Sequence, residues 1–112
     1  GMSQADDDAL KAAPDYHRLV FENEQVRVLE TRIEPGQTVP PHTHCWPSAN
    51  YVLSFSNFIR RDGEGAVLLD SAEAGVSLNQ GEGFWSPPLP LHTLENVGDS
   101  PIHVITVELK HG

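Results

Sequence analysis

His42 and His44, at the end of the stretch Pro35-Gly36-Gln37-Thr38-Val39-Pro40-Pro41-His42-Thr43-His44, and His92, behind a second proline-rich turn, are the residues best suited to chemistry. A neutral imidazole offers one nitrogen lone pair and is the commonest metal ligand in proteins. On a strand, residues two apart project from one face, so His42 and His44 look the same way while Thr43 looks the other. A third imidazole from another strand of the same curved sheet completes a three-nitrogen site for one divalent ion. Imidazole suits several first-row ions, so iron, zinc, nickel or manganese could occupy these ligands. Three neutral ligands leave the ion's double charge intact and coordination positions open, which favours an anionic ligand. No catalytic acid or base is legible beyond the ligands.

Trp46, Asn50, Tyr51, Arg60 and Trp85 are the candidates for a substrate-binding wall around that site. Trp46 shares the face of His44 if the strand continues, Tyr51 and Phe55 lie on the next strand, and Phe84-Trp85 precede the turn at Pro87. Arg60 and Arg61 are adjacent, so only one points inward, where a guanidinium can clamp a carboxylate. Alternation turns Cys45 away from the metal, as a small buried hydrophobe. His103, in register with Ile105, Val107 and Leu109, is expected in the core or at an interface, and His17 and His111 at the surface. Pro40-Pro41 and Pro87-Pro88 stiffen the backbone ahead of the ligands.

Short strands must position these groups. The chain has 112 residues, with nine glycines and nine prolines, and its apolar residues fall in short runs rather than helical stripes. Strands are expected at Leu19–Phe21, Val26–Ile33, Val39–Trp46, Tyr51–Phe55, Asn57–Arg61, Ala66–Leu69, Gly75–Leu78, Gly83–Trp85, His92–Asn96 and Ile102–Leu109. Pro35-Gly36 has the composition of a type II turn, and Asp62-Gly63-Glu64-Gly65 offers a hairpin turn. This spacing suggests an all-β sandwich or jelly-roll barrel. Residues 1–14 are expected as a flexible leader, frayed or holding a short helical turn, and 15–112 as a single domain.

The chain resembles the cupins on two motifs. Gly36 with His42 and His44 fits the first, and Gly81, Pro87, His92 and Asn96 fit the second. The resemblance implies a double-stranded β-helix of the RmlC-like kind with His42, His44 and His92 as metal ligands. The glutamate ligand of the first motif, due near Ser48 or Ala49, is absent. Among cupins, three-histidine sites resemble those of thiol and diketone-cleaving dioxygenases, which bind iron, so the resemblance implies Fe(II) as the first expectation for the ion, with zinc, nickel or manganese as alternatives. The resemblance therefore implies a dioxygenase-like enzyme acting on a small anionic, thiol or dicarbonyl compound, with isomerase or lyase chemistry as neighbours. The alternative is a non-catalytic small-molecule-binding or sensor cupin, with or without metal.

The net charge of −9 and the lack of a basic stripe argue against a nucleic-acid partner. No run is long and apolar enough to span a membrane. A single cysteine excludes an internal disulfide, and a cytoplasmic address is the expectation. Apolar residues on both faces of Val26–Ile33 call for a second covering layer, which a homodimer supplies.

Overall fold

Turn chemistry delimits most of the strands. In the computed structural model, which describes residues 4–111, Gly36 takes a φ of 84°, the left-handed conformation that the third position of a type II turn requires. Gly65 does the same at 92°, closing a hairpin in which Asp62 Oδ1 accepts from the backbone N–H of Glu64 and Ala66.

Nine strands result: β1 (His17–Glu22), β2 (Val26–Ile33), β3 (Thr38–His44), β4 (Ser48–Ser54), β5 (Phe58–Asp62), β6 (Val67–Asp70), β7 (Gly83–Ser86), β8 (Leu89–Asn96) and β9 (Ile102–Leu109). They form a five-stranded sheet in the order β1-β2-β9-β4-β7 and a four-stranded sheet in the order β3-β8-β5-β6, antiparallel throughout. The inner faces meet at one end around Ala13, Ile33, Val39 and Ile102, with Tyr16, Phe58, Leu94 and Val104 packed against them. Asn96 is fully buried and acts structurally, its Nδ2 donating to the carbonyls of Ile33 and Ser100 at 2.9 Å each.

One expectation changes. The strand foreseen over Gly75–Leu78 is replaced by a helical turn, α3 (Ser71–Ala74), and an irregular segment. Asp70 caps that turn by accepting from Glu73 N–H, and Gly75 ends it at a left-handed φ of 69°. The stretch expected as a leader holds a packed part: after α1 (Gln4–Asp7), α2 (Ala9–Ala12) follows, with Asp8, Ala9 and Ala13 buried. Asp8 caps α2 through Leu10 N–H and forms a bridge to Thr43 of β3, so this segment closes one end of the barrel beside the histidine strand. Among the described residues no helix is long and apolar enough to cross a membrane.

Candidate metal centre

His42 and His44 project into the barrel from β3, and His92 lies opposite His42 on β8. The His42 and His92 ring centroids are 4.3 Å apart, those of His42 and His44 5.0 Å, and those of His44 and His92 5.7 Å. A fourth imidazole joins them. His17, expected at the surface, is buried at the start of β1, with its ring 5.0 Å from His42 and 5.5 Å from His44. One nitrogen each of His17, His42 and His44 lies within 4.8 Å of the others. Pairing of β1 with β2, which sets His17 opposite Thr31, brings it there. No local motif marks His17, because β1 is otherwise an exposed edge strand.

Hydrogen bonding fixes the tautomers. Nδ1 of His42 lies 2.8 Å from the Pro40 carbonyl, Nδ1 of His92 2.7 Å from the Pro90 carbonyl, and Nδ1 of His17 3.0 Å from the Ala13 carbonyl. A carbonyl oxygen can only accept, so each Nδ1 carries the proton and each Nε2 keeps its lone pair. In both ligand strands the acceptor belongs to a proline two residues ahead. His44 Nδ1 faces Glu108 Oε2 at 3.4 Å, a longer contact with the same polarity.

His17, His42 and His92 stay neutral. Burial, and then the neighbouring rings of His44 and His42, push His17 down to about 3. Burial, followed by His92 and His44, lowers His42 to about 3. His92 falls to about 4, again chiefly through burial, with His44 and Arg60 adding to it against the Pro90 hydrogen bond. Neutral, buried imidazoles with unprotonated Nε2 atoms are the donor set a divalent transition-metal ion needs.

Glu108, wholly buried on β9, also accepts from Arg27 Nε at 2.6 Å, and Arg27 reaches both carboxylate oxygens of Asp8 at 2.7 and 2.9 Å. Burial works against the Arg27 charge, but its hydrogen bonds to Asp8 and Glu108 outweigh it and raise its pKa. Sequence reasoning missed this triad. The available signal was alternation on β9, where Ile102, Val104 and Thr106 line the pocket and Glu108 continues their phase. His103 belongs to the opposite phase, on the outer face, paired with Glu30 at 2.7 Å rather than lying in the core. His111 is exposed as expected, and Cys45 is only half-buried.

Beside the histidines opens an apolar cavity of about 450 Å³, walled in part by Val39, Val52, Phe58, Leu78 and Leu94. Asn50 and Arg60 line it. Asn50 is held by Thr106 Oγ1, which donates to its Oδ1 at 2.6 Å, and by Ser48 Oγ, which accepts from its Nδ2 at 3.0 Å. Ser48, which with Ala49 brackets the place where the glutamate was due, therefore puts a small hydroxyl on the pocket wall. Trp46 and Tyr51 do not line the cavity. β3 ends at His44, so Trp46 falls in the connection to β4 and packs under Arg27 and Lys110, at 5.1 and 5.6 Å from its ring. Tyr51 has the opposite phase to Asn50 and is 50% exposed. Trp85 borders the cavity but remains 58% exposed.

No family model and no curated protein matches the sequence. Solved structures do match in fold. A cupin domain protein from Bordetella pertussis Tohama I is similar over 84% of this chain and 91% of its own, at 21% identity and a TM-score of 0.66. An RmlC-like cupin with a double-stranded β-helix from Methanocaldococcus jannaschii aligns over 85% and 79%, at 11% identity and 0.57. The polyketide cyclase RemF from Streptomyces resistomycificus aligns over 97% and 78%, at 17% identity and 0.56.

Proposed function

We propose that this chain of cupin fold holds one divalent metal ion through His42, His44, His92 and His17, and acts as a metal-dependent enzyme on a small apolar compound bearing an acidic oxygen. Dioxygenase-like cleavage of a dicarbonyl compound is its most concrete form, with Fe(II) as the ion. The observation that carries this reading is the shared state of the imidazoles: three have Nδ1 committed to a carbonyl, each of those three is neutral, and one nitrogen of His17, His42 and His44 converges within 4.8 Å. A divalent ion supplies Lewis-acid activation of a bound oxygen and, if iron, redox chemistry with O₂. The protein's part is to hold the ligands rigid through Pro40 and Pro90, keep water out with apolar walls, and orient the substrate.

Protein purified without chelator or nickel resin is expected to carry about one equivalent of metal by elemental analysis. With roughly 10–16 kcal/mol spread over a structural zinc site, loss of one ligand costs about 3 kcal/mol. His42→Ala is thus expected to weaken metal binding roughly hundredfold or more. His17→Ala reports on the fourth imidazole: a comparable loss makes it a ligand, and unchanged affinity returns the site to the three histidines of the two strand motifs. Failure of the parent chain to take up iron, zinc, nickel or manganese would sink the metal reading.

The second reading is a non-catalytic small-molecule-binding or sensor protein. It is favoured by the absence, among the described residues, of any Asp, Glu, Lys, Tyr or Cys on the cavity wall, which leaves no general acid or base beside the histidines. Oxygen consumption by the iron-loaded protein with diketones and thiols separates the two.

The homodimer belongs to the same proposal, with a second copy covering the outer face of the five-stranded sheet. Phe21, Val28, Val107, Ala49 and Trp85 stand in register across all five strands. Phe21 is 53% exposed. Beside that row Arg18, Glu30, Arg32 and His103 mix both signs, so the face suits a copy of itself related by a two-fold axis. Sedimentation is expected to show a dimer that Phe21→Glu converts to monomer; a parent chain that sediments as a monomer at micromolar concentration removes the proposal.

A further inference from the structure

Every arginine but one among the described residues has a carboxylate partner. Arg18 pairs with Glu30 at 2.8 Å, Arg27 with Asp8 and Glu108, Arg32 with Glu34 at 2.7 Å, and Arg61 with Glu95 at 2.9 Å. Arg60 has none. Its Nε is buried without a hydrogen-bond partner, and its guanidinium carbon lies 5.8 Å from the centre of the Phe58 ring. Register explains where it sits. Arg60 is opposite Leu94 and Asp62 opposite His92, so Arg60 is the diagonal neighbour of His92 on the inward face of adjacent strands. That places a cation one step deeper in the cavity than the histidines. Among the described residues, nothing acidic lines the cavity to neutralise it.

A buried, unpartnered guanidinium donor is costly unless something accepts from it, and a planar fork of N–H groups fits a carboxylate. We propose that Arg60 is an anion subsite, and that the ligand of this cavity is an apolar monocarboxylate whose carboxylate seats on Arg60 while its body lies along Phe58 and Leu94 toward the histidines. Burial lowers the Arg60 pKa with no partner to offset the change, and an anionic ligand restores the balance. The inference rests on the small-molecule reading of the cavity but not on metal, which sets the form of its test.

The probes are 3-phenylpropanoate and its uncharged amide, titrated by calorimetry into both chelator-treated and zinc-loaded protein. The acid is expected to bind at least tenfold more tightly than the amide in both forms, since a charge-assisted pair is at stake. Arg60→Gln is expected to erase that preference, and Arg60→Lys to keep part of it because charge remains while the fork is lost. Circular dichroism checks that each variant is folded. Equal affinity for acid and amide, no binding of either, or a preference that survives Arg60→Gln would overturn the subsite. Preference for the acid only in zinc-loaded protein would also overturn it, by assigning the carboxylate to the metal. Preference in the chelator-treated form, with no metal uptake, would retain Arg60 and discard the metal reading.

Discussion

Taken from pH 7 to pH 5 without metal, the protein is expected to lose on the order of 5 kcal/mol of folding stability. The loss comes from His17, His42 and His92, whose folded values of about 3, 3 and 4 lie well below the 6.5 of an exposed histidine. Between those limits the unfolded chain binds protons that the folded chain refuses, so stability is full above about pH 6.5 and falls as the pH drops, levelling only near pH 3 to 4. At pH 5 each histidine accounts for about 2 kcal/mol, because one pH unit below the unfolded value costs about 1.4 kcal/mol per group. A domain of this size has roughly 5–15 kcal/mol in all, so the apo protein approaches its unfolding midpoint in mild acid. Urea titrations at pH 7 and pH 5 check this. An unchanged midpoint would mean that the buried rings accept protons without penalty. Saturating zinc, which takes the same lone pairs, is expected to move the acid transition to lower pH.

Replacing Arg27 by methionine is expected to cost about 3–5 kcal/mol, the usual penalty for removing one member of a buried ion pair. For a chain of this length that corresponds to a melting temperature lower by about 10–25 °C. Asp8 and Glu108 would be left as two buried carboxylates without their shared cation. The control is the triple variant Asp8→Asn, Arg27→Met, Glu108→Gln, which removes the stranded charges together and is expected to recover much of the loss. A melting temperature within about 3 °C of the parent in Arg27→Met would show that water or protonation already relieves the pair. Glu108→Gln alone tests a separate effect. It weakens the acceptor facing His44 Nδ1, and metal affinity is expected to fall about tenfold, the scale on which hydrogen-bond partners of metal-binding histidines act.

Nine of the ten expected strands, though not all of their bounds, the turns at Gly36 and Gly65, and the imidazoles of His42, His44 and His92 were legible in the sequence. Those signals are local: alternation on a strand, a glycine at a left-handed position, and two histidine motifs each behind a proline-rich turn. The sequence also showed that only one of Arg60 and Arg61 faces inward. Which one does was decided by the pairing of β5 with β8, which sets Arg60 opposite Leu94 on the cavity side and leaves Arg61 for Glu95. Phase was the weak point elsewhere, because a slip of one residue exchanges the two faces of a strand. Tyr51 was assigned to the wrong face in this way, and Trp46 was lost to the cavity when β3 stopped at His44. His17, Glu108 and the Asp8–Arg27 pair were decided only by the tertiary structure. They come from opposite ends of the chain and meet because the first segment folds across the end of the barrel while β9 runs between β2 and β4. No spacing rule reaches across that distance, since what joins these residues is the order of strands in a sheet rather than their order in the chain.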